Sequence, residues 1–171
     1  MLLERNGVDP DRADEWRRTP LSLAAENGRE GIARILVERN DVNLNIVDTE
    51  YGRTPLSWAA KNGHEGIVRL LLAQSDISPN TVGIKHGQTP LYTSKNRYEG
   101  VKVLLEQKEI IPDTTDTEYG RTPLWWATKK VYKGIAKLLQ DRAHLIPKHA
   151  ESLQLTEPLH SGAPEPSELP S

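Results

Sequence analysis

The stretch GRTPLSWAAKNGHEGIVRLLL, Gly52 to Leu72, decides how this chain folds. Thr54 in front of Pro55 is a helix start, because the Thr hydroxyl accepts one of the unpaired first-turn N–H groups and Pro at the first helical position has no N–H to lose. Leu56, Ala59 and Ala60 follow at i, i+3 and i+4, on one face, and the two small residues let a neighbouring helix come close. Gly63 then interrupts, and Ile67, Leu70 and Leu71 repeat the spacing, which predicts a second short helix packed on the first. Ahead of the pair lies NLNIVDTEYGR, with Asp48 and Gly52 as turn residues and no helical period, so it reads as a projecting turn or hairpin.

The unit recurs. Thr-Pro-Leu stands at Thr19, Thr54, Thr89 and Thr122, spaced 35, 35 and 33 residues apart, and the string DTEYGRTPL occurs unchanged at Asp48–Leu56 and Asp116–Leu124. Such identity marks internal duplication, and a period near 34 residues marks a solenoid of stacked units. The Gly-x-Thr-Pro-Leu opening, Ala-Ala pair, Gly-His turn and Leu-Leu second helix of the second unit resemble the ankyrin repeat. The first unit, RTPLSLAAENGREGIARILV, is similar, with Arg29 in place of His and Arg17 in place of Gly. The resemblance covers about 145 of the 171 residues. It implies an all-α ankyrin-repeat solenoid of helix–turn–helix units, with turns projecting to one side and an inner helical face used for protein partners.

The units are unequal. QTPLYTSKNRYEGVKVLL, the third, is one residue short between Leu91 and Lys95 and carries Thr93-Ser94 for the Ala pair, so its first helix is expected to be weak. One residue lost from a helix rotates the remainder by about 100°. Its second helix keeps Val101, Leu104 and Leu105 at i, i+3 and i+4. Arg97 and Val131 stand at the place of Gly63 and are expected to force a different turn, since Gly adopts positive φ without cost and Val poorly. The resulting organisation is 1–18, the tail of an incomplete preceding repeat and a first turn; 19–148, four repeats; and 149–171, a disordered Pro/Ser/Glu-rich tail. Met1–Arg5 reads as the end of a second helix without a partner, leaving Leu21, Ala24, Ile32 and Ile35 poorly covered. An uncapped solenoid end of this kind favours self-association.

Composition removes several function classes. The chain has no Cys, which excludes disulfides, thiolate nucleophiles and thiolate metal sites. The five His lack metal-ligand spacing, and no Walker loop, GxGxxG, GxSxG or HExxH is present, so neither catalysis nor a cofactor is expected. His64 is expected to bond backbone. Charges at Glu4 and Arg5 and the lack of any long apolar window argue against secretion and membrane spanning, and point to an intracellular chain, cytoplasmic or nuclear. The net charge of −2 divides as −4 over residues 1–120, +6 over 121–148 and −4 over 149–171. The basic segment, with Lys129, Lys130, Lys133 and Lys137, reads as a solvated helical surface; with no accompanying motif it does not make a nucleic-acid site.

Equivalent positions in successive turns form the candidate binding surface. Trp16, Tyr51, His86 and Tyr119 share one slot, and Arg18, Arg53, Gln88 and Arg121 share another two residues on, a pairing of residue types enriched in binding hot spots. The other reading is structural, with each aromatic packed on the adjacent turn and each Arg paired with a carboxylate such as Asp48 or Asp116. The first helices add Ser22, Ser57, Tyr92 and Trp125 in one slot and Leu23, Trp58, Thr93 and Trp126 in the next. Both slots lie off the Leu–Ala–Ala stripe and are expected at the edge of the core or outside it. Trp58, Trp125 and Trp126 there are either an exposed recognition patch or filling for a core without Phe. The function these features imply is a non-catalytic scaffold that binds a protein partner through turn tips and inner helical face. The alternative is a recognition or spacer segment of a larger multidomain signalling protein, without activity of its own.

Overall fold

Each Thr-Pro pair starts a helix in the computed structural model, which describes residues 9–94 and 97–145. The helices are α1 (Pro20–Glu26), α2 (Glu30–Val37), α3 (Pro55–Asn62), α4 (Glu65–Leu72), α5 (Pro90–Thr93), α6 (Tyr98–Leu105), α7 (Pro123–Lys129) and α8 (Lys133–Leu145), and the described residues contain no strand. Thr19, Thr54, Thr89 and Thr122 hold extended backbone, and each hydroxyl accepts from the N–H three residues on. Every cap of this kind is worth about 1 kcal/mol.

Two rows of helices result. In one, α3 packs between α1 and α5; in the other, α4 packs between α2 and α6, and α8 closes on α6 and α7. The core runs between the rows through Leu21, Leu36, Leu56, Ile67, Leu71, Leu91, Leu104 and Leu139, all buried, each contributing about 1.5–3 kcal/mol on leaving water. One side chain ties each of the loops behind α2, α4 and α6 to the loop one unit earlier. Asn45 Nδ2 donates to the Asp76 carbonyl and its Oδ1 accepts from Ser78 N–H. Asn80 does the same with Glu109 and Ile111, and Asp11 accepts from Asn43 N–H.

The third unit corrects the sequence reading. Helix α6 begins 33 residues after α4, at Tyr98 against Glu65, so the unit is two residues short and not one. Arg97 takes the place of His64, not that of Gly63. A Cβ on Gly28 would point at the His64 ring and one on Gly63 at the Arg97 side chain, and Arg97 has φ −122 against 79 for Gly63. The missing length is absorbed by ending α5 after four residues, with Ser94 Oγ on the Leu91 carbonyl. The register downstream is thereby kept, and Val101 and Leu104 bury where Val68 and Leu71 bury one unit earlier.

Val131 is the second correction. It keeps the turn of Gly28 and Gly63, with φ 61 beside 68 and 79, and the same closing bond, Tyr132 N–H to the Ala127 carbonyl at 2.8 Å as His64 N–H to Ala59 at 3.0 Å. Closure by the helix pair outweighs the local preference of a β-branched residue. At the first unit, Leu21 and Ala24 are buried against α2 and α3, whereas Ile32 is 49% exposed. The readings of Met1–Arg5 as a helix tail and of 149–171 as a disordered tail lie outside the described residues.

Candidate functional site

Each projecting turn is closed by one backbone pair, Asp14 N–H to Arg18 O, Asp48 to Arg53, Gly83 to Gln88 and Asp116 to Arg121, at 2.9 to 3.1 Å. In three turns the first residue is an Asp whose carboxylate accepts the tip N–H groups. Asp14 takes those of Trp16 and Arg18, Asp48 those of Tyr51 and Arg53, and Asp116 those of Glu118 and Tyr119. The turns are then joined edge to edge. Thr49 N–H donates to the Trp16 carbonyl, Lys85 N–H to Tyr51 and Thr117 N–H to His86, at 2.9, 3.4 and 3.0 Å.

The side-chain ladder settles on this frame. Arg18 lies 4.8 Å from the Trp16 ring centroid, Arg53 4.2 Å from Tyr51, and Arg121 4.6 Å from Tyr119 and 4.0 Å from Trp125. The Arg residues therefore stack on aromatics of their own unit. Asp48 is spent on N–H groups and Asp116 on N–H groups and the Tyr92 hydroxyl; among the described residues only Arg18 pairs with its turn carboxylate, Nε to Asp14 Oδ2 at 2.9 Å. His86 meets Glu118 of the next turn, Nδ1 to Oε2 at 3.1 Å. Trp16 and Tyr119 are exposed, Arg18, Tyr51, His86 and Arg121 half-buried, and Arg53 is 8% exposed with its Nη1 buried and without a hydrogen-bond partner. Burial pulls the Arg53 guanidinium below its ordinary range, with Asp48 opposing.

The helix slots divide. Trp125 is 38% exposed and Trp126 half-buried, edge-to-face with a 5.2 Å centroid separation. The expectation that these slots lie off the core fails for Trp58, which is 5% exposed, and for Ser22, Ser57 and Tyr92, which are buried. The physical reason is stacking: the slot after Leu faces the next unit, so a neighbour covers it wherever one follows. Trp58 fills the space beneath its own turn, its indole N–H donating to Asp48 Oδ2 at 3.0 Å and its ring edge-on to Tyr51. In the fourth unit the same slot is relayed, the Trp126 indole donating to the Tyr92 hydroxyl and that hydroxyl to Asp116.

Lys61 and Lys85 escaped the sequence reading. Lys61 Nζ lies 4.7 Å from the Trp58 ring and Lys85 Nζ 4.8 Å from Tyr51, so three cations surround one aromatic pair. Burial, then Arg53 beside it, holds the Lys61 ammonium below its usual range. The available signal was Lys61 one helical turn after Trp58, at i+3. His64 Nε2 sits 3.1 Å from the Glu26 carbonyl, a backbone partner. Among the described residues no group of three or more His, Cys, Asp or Glu is placed to hold a metal, and no helix is long and apolar enough to cross a membrane. Residues 1–83 match the family described as ankyrin repeats (3 copies). Comparison with curated proteins finds no match.

Proposed function

We propose that this chain, whose residues 1–83 match the ankyrin-repeat family, a family typically non-catalytic and generally made of protein–protein interaction modules, binds a protein partner through its turn ladder and inner helical face. The observation that carries the reading is the row of Arg-stacked aromatics, Trp16 with Arg18, Tyr51 with Arg53 and Tyr119 with Arg121 and Trp125. Stacking removes much of the rotamer freedom these side chains would otherwise lose on binding, so their apolar faces and N–H donors are presented at reduced entropic cost. Trp16, Arg18, His86, Tyr119, Arg121 and Trp125 make direct contact on this reading. Tyr51 and Trp126 contribute their open edges, and Arg53 and Trp58 hold the second turn in place from beneath.

The test starts from a partner recovered with the full chain and then measures affinity. Tyr119→Ala with Trp125→Ala, and Trp16→Ala with Arg18→Ala, are expected to lower affinity by at least about tenfold each, since hot-spot truncation commonly costs about 2 kcal/mol or more. Circular dichroism should show both variants folded. Unchanged affinity in both pairs would overturn the assignment of this face.

A further inference from the structure

The fourth turn repeats the second residue for residue, as DTEYGRTPL at Asp116–Leu124 and at Asp48–Leu56, and the two differ in what lies beside them. The second turn is covered by the segment next along the chain. Lys85 N–H donates to the Tyr51 carbonyl, the Lys85 ammonium lies 4.8 Å from the Tyr51 ring centroid, and Ile84 presses so close that a Cβ on Gly52 would sit 2.3 Å from its amide nitrogen. Thr117 covers the third turn, one residue here both donating its N–H to the His86 carbonyl and placing its amide nitrogen 2.8 Å from a Cβ on Gly87.

At the fourth turn no described residue covers the same surface. Gly120 keeps the φ of 61 seen at Gly87, yet a Cβ there would meet no atom of the described residues within 4 Å. The Tyr119 carbonyl accepts no hydrogen bond among the described residues, Tyr119 is 56% exposed, and Trp125, on which Arg121 stacks as it does on Tyr119, is 38% exposed. An unpaired carbonyl, a side-chain-free position and two aromatic edges in a row form a template for a chain to add along an edge. The internal copy specifies what fits it.

We propose that Tyr119, Gly120 and Trp125 form a docking edge for an extended segment of the protein partner, which lays a β-branched residue over Gly120 with a lysine directly after it. That lysine donates its backbone N–H to the Tyr119 carbonyl and sets its ammonium on the Tyr119 ring, as Ile84 and Lys85 do on the identical second turn. This rests on the protein-binding reading above and names the chemistry of what is bound.

The test titrates the isotopically labelled full chain with the peptide TVGIKHG, the sequence of residues 81–87, and monitors backbone amides and indole resonances. Saturable shifts confined to Thr117–Thr122 and the Trp125 indole are expected. The peptide TVGIPHG, which lacks the donating N–H, should bind at least about tenfold more weakly. So should the variant Gly120→Asn, whose side chain falls in open space in the free chain and whose residue type tolerates positive φ. Absence of saturable shifts at millimolar peptide, or equal binding by Gly120→Asn, would overturn the proposal. Association of the free chain with itself that Gly120→Asn abolishes would overturn it in favour of a second copy on this edge. Binding that emerges only after removal of residues 149–171 would do so in favour of the chain's own tail. Loss of partner affinity in the Trp16 and Arg18 variant, with no peptide binding, would leave the general protein-binding reading standing and remove this edge alone.

Discussion

Val131 holds a β-branched side chain at φ 61, where left-handed backbone costs an L-residue about 1–2 kcal/mol. The side chain is exposed and has no packing to offset this. Val131→Gly is therefore expected to raise stability by about 1 kcal/mol, the gain being limited by the greater chain entropy of Gly, as read from urea unfolding midpoints. Asp116 gives a second prediction at this scale. Burial alone would raise its carboxyl, but the Tyr92 hydroxyl, the Tyr119 N–H, the Trp126 indole and the Glu118 N–H more than offset that and hold it below the ordinary carboxylate range. A folded-state value below the unfolded one, about 3.9, stabilises fully above that pH and loses the contribution as pH falls through the folded value. Asp116→Asn should thus be less stable than the parent chain at pH 7, and the gap should narrow as pH falls below about 4.

Among the elements, α5 is the weak point. Its four residues close little more than one helical turn, whereas α3 in the equivalent place has eight. A first turn fixes several dihedrals for one hydrogen bond, so α5 depends on α3 and α6 for its existence. Amide exchange should then be fastest over Leu91–Ser94 among the helical segments, and opening there should weaken the hold of Tyr92 on Trp126 and Asp116. Uniform protection from α3 through α8 would refute this. Trp58 and Trp125 supply the contrast between packing and presentation. Trp58→Ala should cost about 3–5 kcal/mol through the cavity beneath the second turn, while Trp125→Ala, on an exposed slot, should change stability by far less.

Over the whole molecule, stability is a sum of neighbour contacts along the stack. Ile32 and Ile67 occupy the same slot in α2 and α4, yet Ile32 is half exposed and Ile67 fully buried. Ile32→Gln is expected to leave the unfolding midpoint within about 0.5 kcal/mol of the parent and to reduce any concentration-dependent association in sedimentation. Ile67→Gln, which buries an amide among Leu and Val, should prevent folding of the second and third units. Equal effects of the two changes would mean that the first unit is covered after all.

Helix starts, helix number and stacking order were legible in the sequence because they depend on local chemistry repeated four times. Thr-Pro capping, present in all four units, the i, i+3, i+4 stripe, and the Asp-x-x-Tyr-Gly-Arg turn, spelled out in two of them, act within one unit, and repetition makes them unmistakable. The rest was decided between units. Whether Trp58 or Trp125 is buried depends on what fills the space beneath or beyond each helix pair, and whether Val131 bends its turn depends on the closure that α7 and α8 impose. The two missing residues of the third unit shortened α5 instead of turning α6, because Val101 and Leu104 gain more by keeping their places in the core than α5 loses by ending early. Periodicity along one chain specifies which face of a helix is apolar. Only the neighbour laid against it determines how much of that face, and of its edges, remains open to a partner.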